Sequence, residues 1–92
     1  MEELTLTIVY TSKPGMRETF VEAVVNAGIL EKIRAEEGCI AYDYYASEDN
    51  TDRLMLIEKW VSEEHQQTHM TQPHMQDLAT IKARYIDQTE FI

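Results

Sequence analysis

Arg53-Leu54-Met55-Leu56-Ile57-Glu58-Lys59-Trp60-Val61 reads as a strand that is apolar on both faces. Side chains alternate along a strand, so Leu54, Leu56, Glu58 and Trp60 share one side, and Met55, Ile57 and Val61 the other. A sheet with one wet side would put polar residues at every second position, so this strand is expected to be covered on both faces. One layer of helices can cover only one of them.

Upstream, residues 40 to 47 read as a neighbouring strand, joined to it by the polar, turn-rich Glu48-Asp49-Asn50-Thr51-Asp52. Further back, Leu4, Leu6, Ile8 and Tyr10 alternate with Thr5, Thr7 and Val9, a strand signal that Ser12-Lys13-Pro14-Gly15 ends. Met16, Phe20, Ala23, Val24 and Ala27 then recur at helical spacing. Gly28 is expected to kink that helix, and Leu30 and Ile33 carry its stripe on to Glu36-Glu37-Gly38, where the glycine suits the position past a helix end.

Downstream, residues 63 to 70 form a short helix, and Pro73 suits the first position of another, continued by Met75, Leu78 and Ala79. Residues 82 to 91 alternate loosely as a last strand, with Ala83, Tyr85 and Phe91 on one side and Ile86 and Ile92 on the other. The order β-α-β-β-α-β is that of an α+β, ferredoxin-like split βαβ fold: a four-stranded antiparallel sheet with helices on one face. The apolar face left over predicts a homodimer whose two sheets face each other, a dimeric α+β barrel.

With 92 residues the chain is one domain, residues 1–92. Its 17 Asp and Glu against 8 Lys and Arg, net −9, repel phosphate backbones and anionic lipid heads, which argues against nucleic acid and membrane partners. No apolar run reaches the roughly 20 residues needed to span a bilayer. Cys39, the single cysteine, has no internal partner, and the Met-Glu-Glu-Leu start lacks the pattern of a secretory leader, so a cytoplasmic location is expected.

Three strings, Glu36-Glu37-Gly38-Cys39-Ile40-Ala41-Tyr42, Ile57-Glu58-Lys59-Trp60-Val61-Ser62 and His69-Met70-Thr71-Gln72-Pro73-His74-Met75, together resemble the antibiotic biosynthesis monooxygenase domain family. The small quinol monooxygenases are the nearest in likeness. The resemblance implies a dimeric α+β barrel and oxidation of electron-rich aromatics such as hydroquinones by O2, with no metal or flavin cofactor. Relatives include an isomerase for a signalling molecule, heme-degrading enzymes and members of no known activity. His65-Gln66 departs from the small and apolar pair usual after Trp-x-Ser-x-Glu. Ile8 and His69 stand about where heme-degrading relatives carry asparagine and tryptophan, which disfavours that activity.

His74, just after Pro73 at a helix start, is favoured as a neutral imidazole by the positive end of the helix dipole, and a hydroquinone needs a base because its anion gives an electron to O2 more readily. A plain helix-capping role is the bland alternative. His69 ends the preceding helix and would carry protons in the same cleft, or else be a buried histidine bonded to a backbone carbonyl. His65 and His69, at i and i+4, match metal-ligand spacing, but no Cys or second carboxylate stands at a complementary spacing, so no metal is expected. Trp60 offers a face for an aromatic ring or simply fills the core. Tyr42 and Tyr44 share a face and could donate to a quinone oxygen. Tyr45, on the other face, belongs to the dimer contact. Glu58, among apolar neighbours, must pair with a cation, for which Arg84 and Arg53 are candidates, or stay protonated. Met70 and Met75 could line an adaptable pocket, whereas Met16 reads as core. The expected function is thus a homodimeric, cofactor-independent monooxygenase, with His69 and His74 catalytic and Trp60, Tyr42, Glu58, Met70 and Met75 binding the substrate. The alternatives are an isomerase of a small polyoxygenated metabolite and a non-catalytic dimeric ligand-binding module.

Overall fold

Leu54, Leu56, Glu58 and Trp60 do share one side of a strand, and all four are buried, while Met55, Ile57 and Lys59 between them are only partly covered. The computed structural model describes residues 2–92. Its elements run β1 (Leu4–Ser12), α1 (Arg17–Asn26), α2 (Ile29–Arg34), β2 (Cys39–Ala46), β3 (Arg53–Trp60), α3 (Glu63–Met70), α4 (Pro73–Tyr85) and β4 (Ile86–Phe91). The strands form one antiparallel sheet in the order β2-β3-β1-β4. This is the ferredoxin-like α+β arrangement expected from the pattern.

The helices lie on the inner face of the sheet, where the apolar residues of β3 meet Phe20 and Val24 of α1, Ile29, Leu30 and Ile33 of α2, and Leu78 of α4. Ile8, Tyr10 and Tyr42 complete that core from β1 and β2. Among the described residues no helix covers the outer face, where Tyr45 is exposed and Met55 and Ile57 are half-buried.

Gly28, at φ +73°, ends one helix and starts the next instead of merely kinking a single one. A left-handed residue breaks the ladder of i to i−4 hydrogen bonds, and glycine adopts that conformation without steric cost. Met16 stands at the edge of α1 and is exposed, not core. The last boundary also moves. Residues 82 to 85, expected in a strand, close α4, because Leu78, Ile81, Lys82 and Tyr85 keep the three-four spacing of a helix face and Ile81 and Tyr85 pack on the core. The chain then passes from α4 directly into β4, with Ile86 already extended. No helix among the described residues is long and apolar enough to cross a membrane.

Candidate active site

The corner where β3 hands over to α3 is built around a glycine. Gly38 has φ +84°, and a Cβ there would collide with the imidazole of His65. The Val61 N–H donates to the Gly38 carbonyl at 2.8 Å, holding the 36–38 turn against the start of α3. Ser62 caps that helix, its Oγ accepting the His65 N–H at 3.3 Å and lying 2.7 Å from His65 Nδ1. His65 is therefore engaged at the corner by Ser62.

That turn places Glu36 between the two other histidines. Its Oε2 is 2.9 Å from Nδ1 of His69 and 2.7 Å from Nε2 of His74. An ionised carboxylate can only accept, so both of these nitrogens carry hydrogens. With Nδ1 protonated, a neutral His69 keeps its lone pair on Nε2, and the one side-chain hydrogen bond of this ring among the described residues is that of Nδ1 to Glu36. The carboxylate fixes the tautomer and orientation of the ring, the arrangement that makes an imidazole a competent base.

His69 is only 1% exposed. One face of its ring lies along Trp60, with centroids 4.5 Å apart and planes 34° apart, and Tyr42 stands at 5.9 Å. Trp60 is itself fully buried, and its indole N–H donates to Glu58 Oε1 at 2.8 Å. This settles how a carboxylate survives among apolar neighbours: Glu58 takes the tryptophan N–H and pairs with neither Arg84 nor Arg53.

A cavity of about 130 Å³ lies between the sheet and α3 and α4. Leu6, Ile8, Tyr10, Tyr42 and Glu58 line it from the first three strands, and Gln66, His69, Met70, Met75 and Lys82 from the helices. Thr89 and Phe91 of β4 close the edge. Five of the seven site residues expected from sequence thus come together here: His69, Tyr42, Glu58, Met70 and Met75. Two do not. Trp60 stands behind the wall, with one face against His69 and its N–H donated to Glu58. His74 is also off the wall, and its contact is with Glu36. A larger, open hollow of about 370 Å³ is lined by Glu36, Glu37, Glu64, His65, Thr68 and Gln72.

Burial pushes the phenols of Tyr42 and Tyr44 well above the ordinary tyrosine value, and that of Tyr10 up to about 12, helped by the charge of Glu58. They are neutral donors at physiological pH. Burial, followed by the charges of Glu36 and Glu58, also raises the Cys39 thiol, which keeps it inert as a nucleophile. The ligand atoms of Glu36, His69 and His74 all lie within 4.8 Å of one another, so these three side chains are the set that could hold a divalent cation. Sequence spacing could not reveal this set, since the turn brings Glu36 to the histidines from more than thirty residues away.

The sequence matches the family described as antibiotic biosynthesis monooxygenase over residues 4–80, from β1 into α4. The chain belongs to that family. Solved structures agree on the fold. A conserved protein from Methanosarcina mazei Go1 superposes with a TM-score of 0.87 at 24% identity, with 100% of this chain and 90% of that one covered. A Nitrosomonas europaea protein, provisionally assigned as an antibiotic biosynthesis monooxygenase, gives 0.80 at 24% identity over 96% of this chain and 85% of its own. A Bacteroides thetaiotaomicron protein described as of unknown function and a possible oxidoreductase gives 0.81 at 25% identity, covering 98% and 95%. Curated proteins give no significant match. In family terms, the departure at His65-Gln66 is accommodated: His65 packs over Gly38, and Gln66 turns to the cavity.

Proposed function

We propose that this protein is a cofactor-independent monooxygenase of single-ring hydroquinones, working as a homodimer. The observation that supports it best is His69, clamped through Nδ1 by Glu36 and set on the wall of a mostly apolar cavity of about 130 Å³. A cavity of roughly 150 Å³ lined by apolar side chains is known to take up benzene, so one six-membered ring is the size that fits and a fused polycycle is not. His69 Nε2 takes a proton from the quinol hydroxyl, and the resulting anion gives an electron to O2. One oxygen atom of O2 enters the ring and the other leaves as water, so that benzene-1,4-diol and O2 give hydroxybenzoquinone and water. Tyr42, neutral and against His69, is the hydrogen-bond donor for the ring oxygens.

The apolar character of the lining favours this reading over an isomerase of a phosphorylated metabolite, which would need several cations in the cavity. Oxygen uptake with a panel of hydroquinones, compared with anaerobic incubation, tests it: consumption of one O2 per quinol by the protein is expected, and no uptake above the uncatalysed rate rejects it. The protein is expected to be colourless and metal-free as purified, checked by its absorption spectrum and by elemental analysis.

A further inference from the structure

Lys82 is the only lysine or arginine among the residues that line the cavity. Among the described residues its ammonium makes no ion pair or hydrogen bond. It is half-buried, and its Nζ lies 5.6 Å from the centre of the Tyr10 ring, near the outer limit of a cation–π contact. Glu58 lines the same cavity and pulls on this charge, but its Oε1 already accepts the Trp60 indole N–H and it forms no ion pair with Lys82 among the described residues. A cation taken partly out of water without a counter-ion is a cost that a folded chain retains where a ligand supplies the missing charge. Burial lowers the Lys82 ammonium below the ordinary lysine value, against a smaller opposing pull from Glu58, which is the signature of an undercompensated charge.

We propose that Lys82 is the anion-binding group of this cavity and that the ligands the site takes are single-ring phenols held as phenolates, with the charged oxygen at the Lys82 ammonium. This rests on the reading of the cavity as an aromatic site. Size and wall chemistry select the phenolate among anions. A multiply charged phosphate or sulfate would call for several cations, whereas here a single one shares a space of about 130 Å³ with a wall that is mainly apolar and carries the Glu58 carboxylate. Lys82 also lines a neighbouring open groove, with Met70 and Met75 common to both, so its side chain borders the two hollows. Within the walls the same pair of charges attracts far more strongly than in water. The phenol proton passes to His69, on the same wall, so the O–H bond breaks as an N–H bond forms and nothing is oxidised in the step.

The test is binding of 4-nitrophenol, whose anion is yellow and whose neutral form is colourless, under argon so that turnover plays no part. In the wild type, bound probe is expected to ionise at least one pH unit below free probe, a tenfold or greater preference for the anion. Lys82→Met should abolish that preference and Lys82→Arg should keep it, while both variants bind nitrobenzene, a neutral ring of similar size, as the wild type does. An unchanged preference in Lys82→Met, with nitrobenzene binding intact, overturns the proposal alone. Failure of the wild type to bind either probe overturns it together with the aromatic-site reading on which it rests.

Discussion

Oε2 of Glu36 stands 2.9 Å from Nδ1 of His69, although 33 residues separate them in the chain. The same oxygen also takes His74, so a single carboxylate at a turn organises two histidines from two helices. If His69 is the base, replacing it with Gln should lower turnover by about 10²- to 10⁴-fold, the usual worth of positioned proton transfer. Glu36→Gln and His74→Ala act through orientation and should each cost about 10- to 100-fold, the loss typical of groups that orient a functional side chain. Steady-state oxygen uptake checks the ranking, with circular dichroism to confirm folding. Equal losses in all three variants would mean that the cluster acts as structure only.

Gly38 makes a prediction about the same cluster from the backbone side. Gly38→Ala demands a left-handed alanine, worth roughly 1–2 kcal/mol, and also drives a methyl into His65, so a total loss above about 2 kcal/mol is expected from chemical denaturation. His65→Ala removes the obstacle but not the left-handed backbone. In the double variant the two losses should therefore sum to less than their separate values, a coupling that a double-mutant cycle reads directly. Strict additivity would show that the ring moves aside without cost.

Much of this arrangement was legible in the chain, because period-2 alternation in β3 decides which residues face the helices. Leu54, Leu56, Glu58 and Trp60 fall inside as the alternation requires, and Tyr42 and Tyr44 follow in β2. Lys82 was hidden by one misplaced boundary. Ending the last helix before residue 82 puts that lysine on a loosely alternating strand, whereas continuing the spacing from Met75 and Leu78 puts it on the same face of α4. Tyr85 and Ala83 fit both periods, so pattern alone could not choose. Glu36 was visible only as part of a turn. Its partners are long-range contacts, and no local spacing encodes them. The apolar and aromatic character of Trp60 was plain, but whether its face meets a ligand or His69 depends on how α3 docks.

The buried phenols set an alkaline limit to stability. Tyr10, Tyr42 and Tyr44 hold their protons more tightly in the fold than in the unfolded chain. Their contribution is present in full below the ordinary tyrosine value near pH 10 and is lost as pH rises through the folded values, for Tyr10 between about 10 and about 12. Denaturant midpoints should thus be flat from neutral pH to about 10 and then fall. Tyrosinate absorbance from these three should rise together with unfolding. Full ionisation of every tyrosine in a chain that is still folded would contradict the burial of Tyr42.

The outer face of the sheet predicts the assembly. Met55 and Ile57 of β3, with Val9 of β1 and Tyr45 of β2, lie side by side in register, Val9 opposite Met55 and Tyr45 also opposite Met55, and no helix among the described residues crosses them. A second copy can cover them by the same patch, since a twofold contact is self-complementary. Stable dimers of this kind bury on the order of 2,000 Å² in total. Ile57→Asp puts an unpaired carboxylate at the centre of that contact and should shift light scattering from a dimer to a monomer or an unfolded chain. Lys59→Ala, at the exposed end of the same face where the lysine reaches Glu3 at 3.2 Å, should leave the dimer intact, because an exposed ion pair is worth little. A wild-type protein that stays monomeric and folded at micromolar concentration would reject the sheet-to-sheet dimer. The half-covered state of Met55 and Ile57 would then belong to the monomer itself, and the cavity would have to work with Phe91 of β4, 77% exposed, as its own unaided rim.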